Sequence, residues 1–161
     1  MRAEQKLKEL GLELAEPAPP NHNFVLTVQT GNLLFVSGHK ARPFPELASY
    51  EAKRGPDGAL RVGRDLTIEE GYRCARYTAL ACLCSIKAAL GDLDRVKRIV
   101  KVLGFVNSAE DFIKQPLVIN GCSDLLVDVF GEAGRHARSA VGMQQLPSGI
   151  PVEIEMVVEV D

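Results

Sequence analysis

Residues 67–90 carry the longest regular pattern in the chain, and they predict an α-helix. Thr67 and Glu70 make a T-x-x-E capping box, which satisfies free N–H groups in a first helical turn. Gly91 is the expected end of the helix. Apolar or small residues recur in steps of three and four and define one helix face: Ile68, Tyr72, Ala75, Ala79, Cys82, Ile86 and Leu90. A helix with such a face needs a second layer to pack against.

Several other segments predict β-strands. Residues 24–29 and 33–37 are apolar and are separated by Thr30, Gly31 and Asn32, which predicts a hairpin. Residues 96–106 are apolar and β-branched on both faces, as in a central strand that is covered on both sides. Two last strands are predicted at 138–146 and 152–160, and a short one near 60–62.

The remaining segments complete the predicted order. Residues 3–10 suggest a short helix that ends at Gly11, and a proline-rich linker follows up to residue 20. Residues 40–58 predict a long surface loop. A second helix is predicted from about 109 to 130, capped by Ser108. It should be kinked at Pro116 or start later than the pattern suggests.

The order β-β-(β)-α-β-α-β-β predicts an α+β fold, with two helices packed on one face of a mixed sheet. We expect one domain over residues 1–161. Its first 20 residues form the N-terminal helix and the proline-rich linker. The other sheet face would expose apolar residues of the 96–106 strand, which favours self-association.

Composition narrows the class of protein. The formal net charge is −2, so the chain has no broad basic surface for nucleic acid. The first twelve residues are charged throughout and do not form a signal peptide, and no long apolar stretch predicts a membrane span. We therefore expect a cytoplasmic protein. The four cysteines show no C-x-x-C or zinc pattern, and we expect them to be packing residues: Cys74, Cys82, Cys84 and Cys122.

Charged residues near the C-terminus are candidates for chemistry. In the last strand Glu153, Glu155 and Glu159 share one face, which is either a solvated face or part of a site. Arg138 can hold a carboxylate through two parallel hydrogen bonds, or it can be a surface salt-bridge residue. His136 can titrate near neutral pH, or it can be an ordinary loop histidine.

The spacing of these residues constrains a shared site. If the last two strands form a hairpin in which Leu146 pairs with Val152, Arg138 pairs near Val160. Arg138 would then lie roughly 20 Å from Glu153 at about 3.3 Å per residue. A site that uses both residues would have to be built between subunits.

Three segments resemble the Rid (YjgF-like) family. They are GNLLFVSG at 31–38, VNSAEDF at 106–112, and RSAVGMQQLPSGIPVEIE at 138–155. The resemblance runs from about residue 21 to the end. It implies a chorismate-mutase-like fold and a homotrimer with ligand clefts between subunits. It also implies hydrolysis of reactive enamines and imines, such as 2-aminoacrylate, to a keto acid and ammonia, with no metal or cofactor. Members also carry the older name L-PSP endoribonuclease.

The resemblance assigns roles to individual positions. Arg138 matches the arginine that holds the substrate carboxylate, and Glu153 matches the glutamate that positions the attacking water. Ser37 and Gly38 match a segment that lines the cleft. Asn120 matches a cleft asparagine, after an apparent insertion of four residues.

Three positions depart from the family pattern. Phe24 stands where typical deaminases have a tyrosine and lines the same cleft without the hydroxyl. His39 replaces a usual glutamine, and His136 replaces a usual proline. The chain is therefore identified as a divergent branch, with three open readings: an imine deaminase, a carboxylate-binding protein without turnover, or an endoribonuclease.

Overall fold

A five-stranded mixed sheet forms the centre of the molecule. The computed structural model describes residues 2–161. The strand order is β1-β2-β5-β3-β4, and all neighbours are antiparallel except β3 and β4. The strands are β1 (Thr27–Thr30), β2 (Leu33–His39), β3 (Val96–Asn107), β4 (Ala137–Met143) and β5 (Val152–Val160).

Two long helices cover one face of this sheet, as the sequence predicts. The helices are α1 (Arg2–Glu9), α2 (Leu47–Glu51), α3 (Ile68–Leu90) and α4 (Gln115–Phe130). The capping box of Thr67 and Glu70 is formed, and Gly91 ends α3 in the left-handed conformation. All four cysteines are buried and free, and burial raises the pKa of Cys74 and Cys122 to about 12.

Helix α4 starts later than residue 109. It begins at Gln115, and Pro116 occupies the first turn, where a missing N–H removes no helical hydrogen bond. Ser108 does not cap the helix. Its hydroxyl donates to the carbonyl of Val106 and accepts from the amide of Gln115.

The segment after β2 also differs from the prediction. The expected loop at 40–58 contains the short helix α2, and Phe44 in front of it stacks on Tyr77 of α3 at a ring distance of 4.5 Å. No strand forms at 60–62 in the described chain, because Val62 makes only isolated bridges to Leu66 and Ser108.

The predicted hairpin of the last two strands is wrong. Strand β3 lies between β4 and β5 and pairs with both, in parallel with β4 and antiparallel with β5. The connection therefore crosses the end of β3, where the buried side chain of Asn107 donates to the carbonyl of Ile150 at 3.1 Å. The Asn107 N–H donates to the carbonyl of Pro151 at 2.9 Å, which fixes the crossing.

A close helix contact fixes α4 against α3. A Cβ atom on Gly121 would lie 2.0 Å from the carbonyl oxygen of Tyr72, so only glycine allows this approach. The contact sets the height of the neighbouring side chains Asn120 and Ser123 above the sheet.

The sheet face opposite the helices carries exposed apolar side chains, but they come from β2 and β4 and not from the expected 96–106 strand, where Leu103 and Phe105 are half-buried. Phe35, Val141 and Met143 are exposed there. No helix within residues 2–161 is both long and apolar enough to span a membrane.

Candidate functional site

The candidate residues fall into two groups, one on each side of strand β3. The arginine group lies on the helix side of β4 and consists of Arg138, Asn120, Ser123 and His136. The glutamate group lies beside β2 and β5 and consists of Glu153, Gly38, Ser37 and Phe24.

Arg138 is positioned by the pairing of β4 with β3 and by α4. It pairs with Val102, whose side chain is fully buried under the helices, so Arg138 projects to the same side. Its Nη1 donates to Asn120 Oδ1 at 2.9 Å and to Ser123 Oγ at 3.0 Å. Within residues 2–161 Arg138 has no carboxylate partner, so it is not the surface salt-bridge residue that the sequence left as an alternative. Its Nη2 and Nε have no acceptor there either.

His136 is connected to Arg138 through Ser123. His136 Nδ1 lies 2.6 Å from the carbonyl oxygen of Gly134, which can only accept, so Nδ1 carries the proton in the neutral ring. Nε2 then accepts from Ser123 Oγ at 2.9 Å. Burial, and to a smaller extent the charge of Arg138, lowers the pKa of His136, so the ring is neutral at pH 7.

The arginine group opens onto a groove of about 630 Å³. Tyr72, Asp124 and Asp128 line the groove beyond His136. The Tyr72 hydroxyl donates to Asp124 at 2.7 Å, and Asp128 pairs with Arg76 at 3.2 Å. The groove therefore offers Arg138 as a cation beside carboxylates that already have partners.

The glutamate group is built around a β-bulge in β2. The register shifts between Val36 and His39, so Ser37 and Gly38 form the irregular step opposite β5. A Cβ atom on Gly38 would lie 2.9 Å from Glu153 Oε2. Glycine at this position therefore lets the glutamate side chain lie flat against the backbone of β2.

Ser37 is tied to the segment that precedes β1. Its hydroxyl donates to the carbonyl of Val25 at 2.6 Å, and its N–H donates to the carbonyl of Leu26 at 2.9 Å. These bonds bring Phe24, which is 51% exposed, to the same end of the hairpin.

His39 supports the bulge from the helix side. Its Nδ1 lies 2.6 Å from the carbonyl oxygen of Ser37, and its Nε2 lies 2.7 Å from Ser85 Oγ on α3. Burial lowers the pKa of His39. The neutral ring therefore links the bulge to α3 at pH 7.

Glu153 is half-buried and has the character of a base. Burial, with a contribution from the neighbouring Glu155, raises its pKa above the usual value. A carboxylate with a raised pKa takes a proton from a bound water more readily.

The two groups do not meet within one chain. Arg138 is level with Val102, and Glu153 is level with Phe105, whose side chain points to the opposite face. The Cα atoms are separated by about 14 Å across two strand spacings and three residues. The predicted 20 Å hairpin separation was wrong, but one subunit still cannot bring both side chains to a single ligand.

Sequence reasoning did not single out Ser123, and it did not place His136 beside Arg138. Ser123 stands three positions after Asn120, so both side chains share one face of α4. That spacing was the available signal, but Pro116 obscured where the helix starts. In residues 2–161 no three histidine, cysteine, aspartate or glutamate side chains are grouped to hold a metal ion.

Comparison with known proteins identifies the family. Residues 4–152 match the model of the family described as "YjgF/chorismate_mutase-like, putative endoribonuclease". The chain belongs to this YjgF (Rid) family. Its mixed α+β architecture is the chorismate-mutase-like fold.

Relatives match over almost the whole YjgF-like chain. The protein TCP17 of Trypanosoma cruzi is 45% identical over 99% of this chain and 95% of its own length. The crystal structure of the Agrobacterium tumefaciens protein Atu1372, of unknown function, is 43% identical at a TM-score of 0.84, covering 99% of this chain and 93% of that one. A Shewanella oneidensis MR-1 structure that bears the same endoribonuclease description is 31% identical at a TM-score of 0.86, covering 98% and 99%.

Proposed function

We propose that the protein hydrolyses reactive imines or enamines that carry a carboxylate, such as 2-aminoacrylate, to a keto acid and ammonia. The observation that supports this most is the state of Arg138. One nitrogen of its guanidinium is fixed by α4, and the other side of the fork has no acceptor within residues 2–161. A guanidinium held this way is prepared for a ligand carboxylate.

The reaction needs little besides orientation and a base. The imine form of 2-aminoacrylate is already electrophilic at the carbon next to the carboxylate. Glu153 takes a proton from water as the oxygen attacks that carbon and the C=N electron pair moves to nitrogen. Glu153 returns this proton to the nitrogen, which gives a neutral carbinolamine. As the carbinolamine breaks its C–N bond, the hydroxyl proton passes through Glu153 to the departing nitrogen, so the hydroxyl oxygen becomes the keto oxygen and the nitrogen leaves as ammonia.

The site is completed by a second subunit. Arg138 and Glu153 lie on opposite sheet faces, so the arginine group of one subunit must meet the glutamate group of a neighbour. We propose a homotrimer in which the apolar sheet face is buried and such clefts form between subunits. Exposed Phe35, Val141 and Met143 favour burial of this face.

The decisive experiment measures ammonia and keto acid release from 2-aminoacrylate generated in situ. Because this imine also hydrolyses without help, the measured quantity is the acceleration over the enzyme-free rate. We expect acceleration by the wild type and its loss in Arg138→Ala, with the trimer retained.

A matched control is Arg135→Ala. Arg135 is 71% exposed and pairs with Glu132 three positions earlier, so its loss removes the same charge from the same segment. Arg135 lines the same groove without a bond to α4, so its loss should lower the acceleration far less than Arg138→Ala does. No acceleration by the wild type with any carboxylate-bearing imine would reject the deaminase and favour a binding protein.

The family description also mentions an endoribonuclease, and the same protein can be tested for it. The net charge of −2 does not favour phosphate-backbone binding. We expect no cleavage of single-stranded RNA, and cleavage that is lost in Arg138→Ala would overturn the deaminase assignment.

A further inference from the structure

The arginine group contains a directed chain of hydrogen bonds that ends on a titratable ring. Arg138 Nη1 donates to Ser123 Oγ, Ser123 donates to His136 Nε2, and His136 Nδ1 donates to the carbonyl of Gly134. The direction is fixed at both ends, because a guanidinium can only donate and a carbonyl can only accept.

This direction decides where the serine proton points. While His136 is neutral, the hydroxyl hydrogen of Ser123 is directed at the ring and cannot reach a ligand. A protonated His136 donates from Nε2 instead, so Ser123 Oγ becomes the acceptor of two hydrogen bonds. Its own hydrogen must then turn to another acceptor.

We propose that His136, acting through Ser123, is a positioning residue. When its ring gains a proton, the affinity of the Arg138 site for a carboxylate increases. The inference rests on the proposed function only in taking Arg138 as the carboxylate-binding residue. With His136 protonated, the ligand carboxylate accepts from Arg138 and also from the released Ser123 hydroxyl. The second positive charge near the site adds to the attraction.

Charged neighbours of His136 come from three elements. Arg138 follows on β4, and Arg135, which pairs with Glu132, precedes it in the chain. Asp124 and Asp128 face the groove from α4, and Asp128 is paired with Arg76 of α3.

Tyr72 also faces this groove from α3. Burial, together with the bond to Asp124, raises the pKa of Tyr72, so its hydroxyl keeps its proton throughout the neutral range. His136 is therefore the group of this cluster that gains a proton as the pH falls below neutrality, since its pKa starts from about 6.5 and is lowered by burial.

Linkage gives the proposal a second measurable consequence. If a proton on His136 strengthens carboxylate binding, a bound carboxylate must raise the pKa of His136 by the same coupling. A residue that merely holds the loop in place would show neither effect.

The test uses pyruvate as the probe, because its carboxyl group stays ionised over this pH range. Its affinity is measured by calorimetry between pH 8 and pH 5.5 on the intact protein. For the wild type we expect binding to tighten by about tenfold as the pH falls. In His136→Gln, which keeps an amide that can bond Ser123 but cannot titrate, affinity should vary by less than about twofold.

Two further variants separate the steps of the argument. Ser123→Ala keeps the titrating ring but removes the hydroxyl, so its pH dependence should fall between those of the wild type and His136→Gln. His22→Gln removes a histidine that is exposed near the N-terminus and should behave like the wild type. The proton NMR signal of the His136 ring should titrate at higher pH with pyruvate bound than without it.

The possible failures are distinguishable. A wild-type affinity that does not change with pH, or an equal change in His136→Gln, overturns this inference while leaving Arg138 as the carboxylate site. Binding that survives in Arg138→Ala, or no binding of pyruvate by the wild type at any pH, overturns both this inference and the assignment of Arg138.

Discussion

Arg138 and Glu153 project from opposite faces of the sheet, on the two strands that flank β3. Arg138 is level with Val102 on the helix side, and Glu153 is level with Phe105 on the open side. Since no side-chain rotation carries either group through the sheet, a shared ligand requires two copies of the chain. The proposed use of both residues in one reaction therefore requires an oligomer.

Subunit mixing tests that requirement directly. Arg138→Ala and Glu153→Gln should each be inactive alone. After the two are unfolded together and reassembled in equal amounts, about a quarter of the clefts should combine an intact arginine with an intact glutamate. We expect a corresponding recovery of imine hydrolysis.

The control replaces one partner by the double variant. Mixing Arg138→Ala with Arg138→Ala/Glu153→Gln supplies no arginine and should stay inactive. Inactivity of the first mixture, with mixed oligomers demonstrated by mass spectrometry, would mean that the two residues do not serve one cleft.

Gly38→Ala should impair turnover without unfolding the protein. The new Cβ would lie 2.9 Å from Glu153 Oε2 and 3.1 Å from its Cδ, so the carboxylate must move. The displaced atoms end a flexible side chain, and Gly38 lies in an exposed bulge, so stability should change by less than about 1 kcal/mol. A carboxylate displaced by about 1 Å should lower kcat by roughly 100-fold. Unchanged kcat, measured beside an unchanged melting temperature, would remove Glu153 from the reaction.

Glu155→Gln should shift the acid limb of the activity profile to lower pH. Burial is the main cause of the raised pKa of Glu153, and the charge of Glu155 adds to it. Without that charge Glu153 ionises more easily, so its base form persists to lower pH. The profile of kcat/KM against pH measures the shift. An acid limb that stays in place would mean that another group titrates there.

Local signals along the chain predicted the elements well, but they did not predict which strands pair. The capping box at Thr67 gave the start of α3, and the alternation in residues 152–160 gave the buried face of β5. The connection at 147–151 looked like a hairpin turn because it is short and contains two prolines. Instead it crosses the end of β3, held by the buried side chain of Asn107.

In the candidate site, too, single residues could be predicted from the sequence but their long-range contacts could not. The resemblance supplied Arg138 and Glu153, and the structure adds what each one touches. Ser123 and His136 could not be grouped with Arg138 from the sequence, because their contact depends on how closely α4 approaches β4. The short helix α2 was missed because prolines and glycines on either side of it are typical of loops.

Gly121→Ala should destabilise the fold by about 3 kcal/mol, since the added Cβ would lie 2.0 Å from the carbonyl of Tyr72 and force α3 and α4 apart. Urea unfolding at a fixed chain concentration measures the change. Gly58→Ala is a contrasting control, because nothing lies within 4 Å of its Cβ and any loss there reflects only its positive φ of 74°. Equal losses in both variants would contradict the close helix contact.

Stability should fall as the pH drops below about 6.5, and His39 should account for part of the loss. Burial lowers the pKa of His39 in the folded protein below its ordinary value of 6.5. Between the two pKa values the unfolded chain binds more protons than the folded one, so acid favours unfolding. The stabilising contribution of the neutral ring is therefore complete above pH 6.5 and is lost as the pH falls through the folded pKa.

His39→Gln should show a smaller loss of the free energy of unfolding between pH 7.5 and pH 5.5 in urea unfolding at equal chain concentration. The raised pKa of Glu153 acts in the opposite direction, but it is common to both proteins, so the difference between them isolates His39. An equal loss in both would mean that the ring bonded to Ser37 and Ser85 does not titrate with folding.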